Sequence, residues 1–255
     1  MSLTCLLIAD DLTGACDAAV PFAARGHATE ARLSTEGGAA GLDVLAVTTE
    51  SRALPAAALR GVFARTARAL AGVASRIVFK KIDSTLRGNV GMEVALAAEA
   101  FACDAAIITP AFPAMHRTVE AGWLRVAGAP FAPIEMAAYW RAQGLACTHV
   151  SSGAPTAALA SGARFISVDA ASDADLDAIV RCGLGSARRI LWAGSAGLAG
   201  ALARMCQTPP ADVARALLPA VSRLPRESPL TAGSRTWRRH SCLPRPDSSG
   251  RLVFS

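Results

Sequence analysis

The sequence predicts an α/β protein: an open, mostly parallel sheet flanked by helices on both faces. Three observations predict it. Short apolar runs alternate with longer segments whose apolar residues recur at helical spacing, the pattern of βαβ units. The runs lack the in–out alternation of a half-exposed strand; Leu3-Thr4-Cys5-Leu6-Leu7-Ile8-Ala9 reads as a strand covered on both faces. Polar clusters follow the runs, where the carboxyl ends of parallel strands form the ligand-binding edge of an open sheet. At 255 residues the chain has room for one large domain or two modest ones. Hydrophobic residues make up 52% and aromatics 5%, so the core must be built mainly from Ala, Val, Leu and Ile.

Taken in order, the first strand covers residues 3–9 and ends in Asp10-Asp11-Leu12-Thr13-Gly14. A helix over 15–25 follows, with Gly26 placed to end it. A short strand at 29–33 and a turn at Gly37-Gly38 lead to a buried strand at 43–47, which runs into Thr48-Thr49-Glu50-Ser51-Arg52. Pro55 opens a long Ala/Leu/Arg helix to about residue 71, proline being tolerated in a first helical turn. The strand at 76–79 enters the densest polar turn of the chain, Lys80-Lys81-Ile82-Asp83-Ser84-Thr85-Leu86-Arg87-Gly88-Asn89. Beyond it come a helix over 90–102, a strand at 105–108 ending in Thr109-Pro110-Ala111-Phe112-Pro113, a hairpin around 123–128 and a helix over 134–143. Residues 163–168, 175–182, 189–192 and 195–205 continue the strand–helix alternation.

Charge confines the classes of function. The net charge is +6, but residues 223–255 hold seven arginines and two acids, while residues 1–222 hold 19 basic and 18 acidic residues. The basicity belongs to a tail and not to a folded face, which argues against a nucleic-acid partner. That tail is rich in Arg, Ser and Pro, with no apolar periodicity. Residues 209–255 are therefore expected to be an irregular, poorly ordered basic segment, since they bury too little surface to offset ordering entropy. Seven scattered cysteines without a CxxC pair fit reduced thiols in a cytoplasmic protein, and the four histidines do not cluster into a metal site. The apolar run at 3–9 meets two aspartates too soon for a signal peptide. The run at 191–203 falls short of the roughly 20 residues that span a bilayer, so no membrane partner is expected.

Three strand ends carry candidate site residues: Asp10 and Asp11; Ser51 and Arg52; and Lys81, Asp83, Ser84 and Arg87. In a parallel sheet they can converge on one edge. Arginine and lysine can hold a carboxylate, Asp and Ser can orient hydroxyls, and one aspartate can act as base toward an attacking hydroxyl. Together they point to a small anionic, hydroxyl-rich substrate. Structural readings compete. Asp10-Asp11 can cap the following helix, and Arg52 can be a solvated loop residue. The central turn can be a surface loop with an Asn89 N-cap and an Arg87–Asp83 pair, although such a pair contributes only about 0–1 kcal/mol and gives little reason for that density of charge. Gly194-Ser195-Ala196-Gly197-Leu198 can bind an anion at a helix N-terminus, but it lacks the GK[ST] of a P-loop and reads better as tight strand–helix packing. His116 and Arg117 can reach the same edge, and a lone histidine carries no catalytic role. Adjacent aspartates do not match the D-x-D-x-T of haloacid-dehalogenase phosphatases, and no G-x-S-x-G nucleophile elbow is present.

Ile8-Ala9-Asp10-Asp11-Leu12-Thr13-Gly14-Ala15, Thr49-Glu50-Ser51-Arg52 and the Lys80–Asn89 turn, with Pro110-Ala111-Phe112-Pro113, Arg117-Thr118 and Trp192-Ala193-Gly194-Ser195-Ala196-Gly197-Leu198-Ala199, resemble the four-carbon acid sugar kinase family in order and spacing. The resemblance covers residues 3–206 and corresponds to the sugar-acid-binding N-terminal domain of that family, here residues 1–208. It implies an ATP- and Mg²⁺-dependent kinase acting on threonate, erythronate or 3-oxo-tetronate. It also implies substrate contacts at Asp10, Arg52, Lys81, Asp83, Ser84 and Arg87, with Asp11 as the base. Cys16 and Ala121 depart from the family pattern. The family continues into a nucleotide-binding domain that nothing after Met205 matches, so this chain is expected to carry the substrate half without the ATP half. The alternative expectation is a non-catalytic sugar-acid-binding domain or an inactive fragment of such a kinase.

Overall fold

In the computed structural model, residues 2–35, 37–151 and 155–206 are described, with the backbone of 245–246 and 252–253. In chain order the elements are β1 (Leu3–Ala9), α1 (Leu12–Ala23), β2 (Thr29–Arg32), β3 (Val44–Thr48), α2 (Ala56–Ala69), β4 (Ser75–Lys81), α3 (Val90–Ala100) and β5 (Ala105–Thr109). A short 3₁₀ turn (Pro113–Met115) precedes β6 (Arg117–Glu120), β7 (Trp123–Val126), β8 (Ile134–Glu135) and α4 (Met136–Ala142). Then come β9 (Thr148–Val150), α5 (Thr156–Ala160), β10 (Phe165–Val168), α6 (Asp173–Leu184), β11 (Ile190–Gly194) and α7 (Ala196–Met205).

Eight strands form one parallel sheet in the order β2-β3-β1-β4-β11-β5-β10-β9. Every residue of β3, β5 and β11 is buried, as continuous apolar runs require of strands covered on both sides. From β1 the chain crosses through α1 toward β2. From β3 it crosses back through α2, past β1, to β4. Right-handed crossovers in opposite directions put α1 and α2 on opposite faces. In keeping with that, α1 packs with α7 and α7 with α6, while α2 packs with α3. Strands β6, β7 and β8 form a separate antiparallel sheet.

Register sets the functional edge. Ala9 lies beside Thr48, Ile8 beside Lys80, Lys80 beside Ala193 and Gly194 beside Thr109. The residues following β1, β3, β4 and β11 therefore emerge side by side, where the chain direction reverses about β1.

Several elements differ from the sequence expectation. The helix over 134–143 begins as β8, because Ile134 pairs with Leu124, and becomes helical at Met136. Strands β6 and β9 and helix α5 are too short to leave a periodic signature. Helix α6 starts at Asp173, ahead of the expected 175, because Ser172 and Asp175 form a reciprocal capping box. Helix α1 starts at Leu12, with Asp11 as its cap. The expected disorder of 209–255 falls on a span that, apart from 245–246 and 252–253, lies outside the described residues. Within that span, Arg245–Pro246 and Leu252–Val253 pair with each other, and the latter lies antiparallel along β2. Among the described residues no helix is long and apolar enough to cross a membrane. The six described cysteines are free, and Cys242 lies outside the described residues.

Candidate functional site

At this edge lies a cavity of about 140 Å³, walled by the start of α1, Arg52, the turn after β4, Phe112, Arg117 and Ala196. One water needs roughly 10–15 Å³ on such a measure, so there is space for about ten non-hydrogen atoms. The lining is mostly charged and hydroxylated: Asp11, Thr13, Asp17, Arg52, Lys81, Asp83, Ser84, Arg87 and Arg117.

Asp10 and Asp11 have different tasks. Asp11 caps α1, accepting from the Gly14 N–H at 2.7 Å, and its other oxygen meets the Arg52 guanidinium. Asp10 is buried and accepts from Arg52 Nε at 2.7 Å and from its Nη2 at 3.0 Å. Burial pushes the Asp10 carboxyl up, but the Arg52 hydrogen bonds and the Lys80 and Arg52 charges outweigh it and hold the group below its ordinary range. Arg52 is therefore a strut between the two aspartates, and its loop is tied to β1 by Ser51 and Arg52 N–H bonds to the Asp10 carbonyl. Gly14 lets this corner close. A Cβ there would sit 2.7 Å from Asp11 Oδ1, 3.3 Å from Lys81 Cγ and 3.4 Å from Lys81 Nζ.

The central turn folds around Asp83. Its carboxylate accepts from the Thr85 and Arg87 N–H groups at 3.1 and 3.2 Å, from the Thr85 hydroxyl, and from Arg87 through Nε at 3.0 Å and Nη2 at 2.8 Å. Burial opposes the charge, but these bonds prevail and place the carboxyl well below the usual range. Tyr139 Oη donates to the Leu86 carbonyl at 3.0 Å, pinning a buried leucine held at φ 63°. Asn89 stands at the N-cap of α3, as the competing structural reading had it, but its side chain makes no capping bond. Asn89 Nδ2 donates instead to the Leu54 carbonyl at 2.8 Å, joining this turn to the Arg52 loop.

Two lysines precede the turn, on opposite sides of β4. Lys80 is completely buried. It pairs with Glu93 of α3 at 2.7 Å, and Glu93 also accepts from Ser51 Oγ at 2.7 Å. Lys81 lines the cavity and donates to the Ile82 carbonyl at 3.0 Å, with no carboxylate within 4.0 Å among the described residues. Burial lowers its pKa, partly offset by the charges of Asp10, Asp17 and Asp83. Arg117, from β6, reaches across to the Ser84 hydroxyl and also lacks a carboxylate partner among the described residues.

A family model described as a sugar-binding N-terminal domain matches residues 5–141 and 142–202. The chain belongs to this family. It is 36% identical over 222 residues to a D-threonate kinase of Bordetella bronchiseptica, covering 78% of this chain and 54% of the relative. It is 38% identical over 139 residues to a D-erythronate kinase of Heliobacterium modesticaldum, covering 52% and 31%. Thus it spans about half the length of the D-threonate kinase it matches. A crystal structure of a domain of unknown function from Bordetella bronchiseptica, described with bound citrate and as a domain-swapped dimer, superposes with a TM-score of 0.68. The two are 34% identical, with 79% of this chain and 55% of that one covered.

As a member of this sugar-binding family, the chain brings Asp11, Arg52, Lys81, Asp83, Ser84 and Arg87 to one cavity, with Asp10 directly behind Arg52. Gly194 and Gly197 serve packing, while Ala196 between them lines the cavity. A Cβ at Gly194 would lie 2.6 Å from Leu198 Cδ2, and one at Gly197 would lie 2.9 Å from the Ala111 carbonyl, so both glycines permit close strand–helix packing. Among the described residues no group of three or more His, Cys, Asp or Glu side chains could hold a metal ion. Lining residues outside the predicted site set are Thr13, Gly14, Asp17, Phe112, Arg117 and Ala196, and of these the sequence placed Arg117 within reach of the same edge.

Proposed function

We propose that this chain binds a four-carbon sugar acid of the threonate, erythronate or 3-oxo-tetronate type and is the acceptor-binding part of an ATP-dependent kinase for that acid. The observation that carries the reading is Lys81, a buried cation lining a small polar cavity with no carboxylate partner among the described residues. A desolvated charge of this kind is stabilised by a ligand anion. Around it stand acceptors and a donor for hydroxyls: Asp11, Asp83 and Ser84. Arg52 and Arg87, bonded to these aspartates, hold them oriented. A carboxylate offers about four lone-pair positions, and Asp11 gives one oxygen to Gly14 and faces Arg52 with the other. It retains capacity to accept a proton from a substrate hydroxyl, the role of a general base. Names of the relatives, D-threonate and D-erythronate kinase, support the same substrate class.

A second reading keeps the pocket without phosphoryl transfer, and the packing role of Gly194 and Gly197 favours it for the residues described. Thermal shift on the full chain tests both, with D- and L-threonate, D-erythronate and the 3-oxo acid, each with and without Mg-ATP. A ligand at a hundred times its Kd adds about 2.7 kcal/mol. One acid is expected to raise Tm in the wild type and not in Lys81→Gln or Arg87→Ala. No shift with any acid, in a sample shown to be folded, sinks the binding reading. Turnover of ATP with that acid separates kinase from binding domain.

A further inference from the structure

We infer that Arg117, on the small antiparallel sheet, is the residue that recognises the carboxylate of the bound acid, and that neither Arg52 nor Arg87 does so. The inference rests on the sugar-acid reading above and assigns the three arginines of its pocket.

Three guanidinium groups line the cavity, and two are already committed. Arg52 spends Nε and Nη2 on Asp10, and its Nη1 faces Asp11. Arg87 spends Nε and Nη2 on Asp83 and is largely exposed at the rim. A substrate carboxylate could engage either one bidentately only by displacing a carboxylate of the protein. Arg117 differs. Its Nη1 is bonded to the Ser84 hydroxyl, and no carboxylate lies within 4.0 Å among the described residues. The Nε–Nη2 edge is left for a planar anion, the parallel two-bond geometry in which arginine binds carboxylates. The contact with buried Ser84 fixes the side chain, which limits the freedom lost on binding.

The backbone aims this side chain. His116, immediately before it, adopts φ 52°, a left-handed conformation in a non-glycine residue. Arg117 then pairs with Phe112 in both directions, at 2.7 and 3.2 Å. The turn that delivers Arg117 is thus closed on itself beside the cavity that Phe112 also lines. Lys81 supplies charge from the strand end and Arg117 supplies shape, while Asp11 keeps lone-pair positions for hydroxyls.

The test compares the preferred acid with its neutral amide, which keeps every hydroxyl and loses the charge. Calorimetry on the full chain reads both affinities in wild type, Arg117→Gln, Arg117→Lys and, as a control on the same sheet, Arg125→Gln. Arg117→Gln is expected to weaken the acid at least tenfold, the order of a charged hydrogen-bond pair, while amide affinity stays within about twofold. Arg117→Lys is expected to recover only part of the loss, and Arg125→Gln to match the wild type. Equal weakening of acid and amide by Arg117→Gln would overturn the inference, since Arg117 would then merely support Ser84. Full recovery by Arg117→Lys would overturn it too, by removing the need for a fork. Arg87→Ala losing acid selectivity, with Arg117→Gln retaining it, would move the role to Arg87. A folded wild type that binds no acid at all refutes the underlying reading instead.

Discussion

Replacing Glu93 with alanine should unfold this protein's candidate site before it affects anything that touches ligand. Glu93 is 3% exposed and Lys80 and Ser51 are each 0% exposed. The substitution strips the ammonium of its 2.7 Å counter-charge and Ser51 Oγ of its 2.7 Å acceptor. Breaking a buried pair from one side costs about 3–5 kcal/mol, because the remaining charge stays desolvated. Against a typical stability of roughly 5–15 kcal/mol, that is a large fraction. For a chain of this size it corresponds to a fall in Tm of about 6–20 °C. Trp140 and Trp192 are fully or almost fully buried, so urea unfolding followed by tryptophan fluorescence reads the loss as a lower midpoint with unchanged slope. The double variant Lys80→Met, Glu93→Leu removes both charges and should regain most of the stability. Acid binding should remain impaired, since Ser51 still lacks its acceptor and Arg52 follows it in the chain. If Glu93→Ala costs less than about 1 kcal/mol, or the double variant is as unstable as the single, the ion pair is not what holds this corner.

Gly14→Ala should forgo the roughly 1 kcal/mol that alanine normally gains over glycine in a helix. The new Cβ, 2.7 Å from Asp11 Oδ1, displaces the carboxylate from its cap, and acid affinity should fall about tenfold in a folded protein. An increase in Tm with unchanged affinity would refute this. Asp10 and Asp83 have depressed folded-state pKa values, so their stabilisation is complete above the unfolded carboxyl pKa of about 3.9 and is lost as pH falls through the folded values. Tm should hold to about pH 5 and drop below about pH 4, less steeply in Asp83→Asn; parallel curves for the two proteins would contradict it. Burial lowers the Lys81 pKa, and a bound anion raises it again. Acid affinity should therefore decline on the alkaline side before the ordinary lysine value of 10.5, with Lys81→Arg abolishing the decline. An alkaline limb unchanged in Lys81→Arg would show that another group titrates.

The parallel sheet was legible because its signals are local. Uninterrupted apolar runs such as 3–9 and 105–108 mark strands buried on both faces, and each leads into a turn of unusual polarity. The convergence of those turns follows from topology, since parallel strands share a carboxyl edge. Partnership was not legible. Arg52 was open to reading as a solvated loop residue, yet it joins Asp10 and Asp11 across about forty residues of chain. Lys80 and Lys81 are adjacent in sequence, but strand alternation turns one toward Glu93 inside and the other toward the cavity. Arg117 could be placed near the same edge, but nothing local showed that it bonds Ser84 while Arg52 and Arg87 are taken by carboxylates.

What unites the legible and the illegible parts is backbone conformation that only the assembled site can enforce. Among the described residues, five that are not glycine have φ between 47° and 63°. Two of them, Ala102 and Ala121, end a helix and turn a hairpin. The other three, Glu50, Leu86 and His116, occupy the three loops that deliver Arg52, Arg87 and Arg117. Each such residue costs on the order of 1–3 kcal/mol and persists only where its surroundings over-determine it. The restraints are visible: Thr48 Oγ1 donates to the Glu50 carboxylate at 2.5 Å, Tyr139 holds the Leu86 carbonyl, and the Phe112 pairing closes the turn at His116. Strain placed in the loops that carry all three pocket arginines is spent on fixing their positions in advance of ligand, which spares the ligand that ordering cost on binding. Releasing one restraint should therefore weaken binding through geometry while leaving the charges of the pocket intact. Tyr139→Phe is the cleanest case, because the hydroxyl it removes bonds to the Leu86 backbone and does not line the cavity.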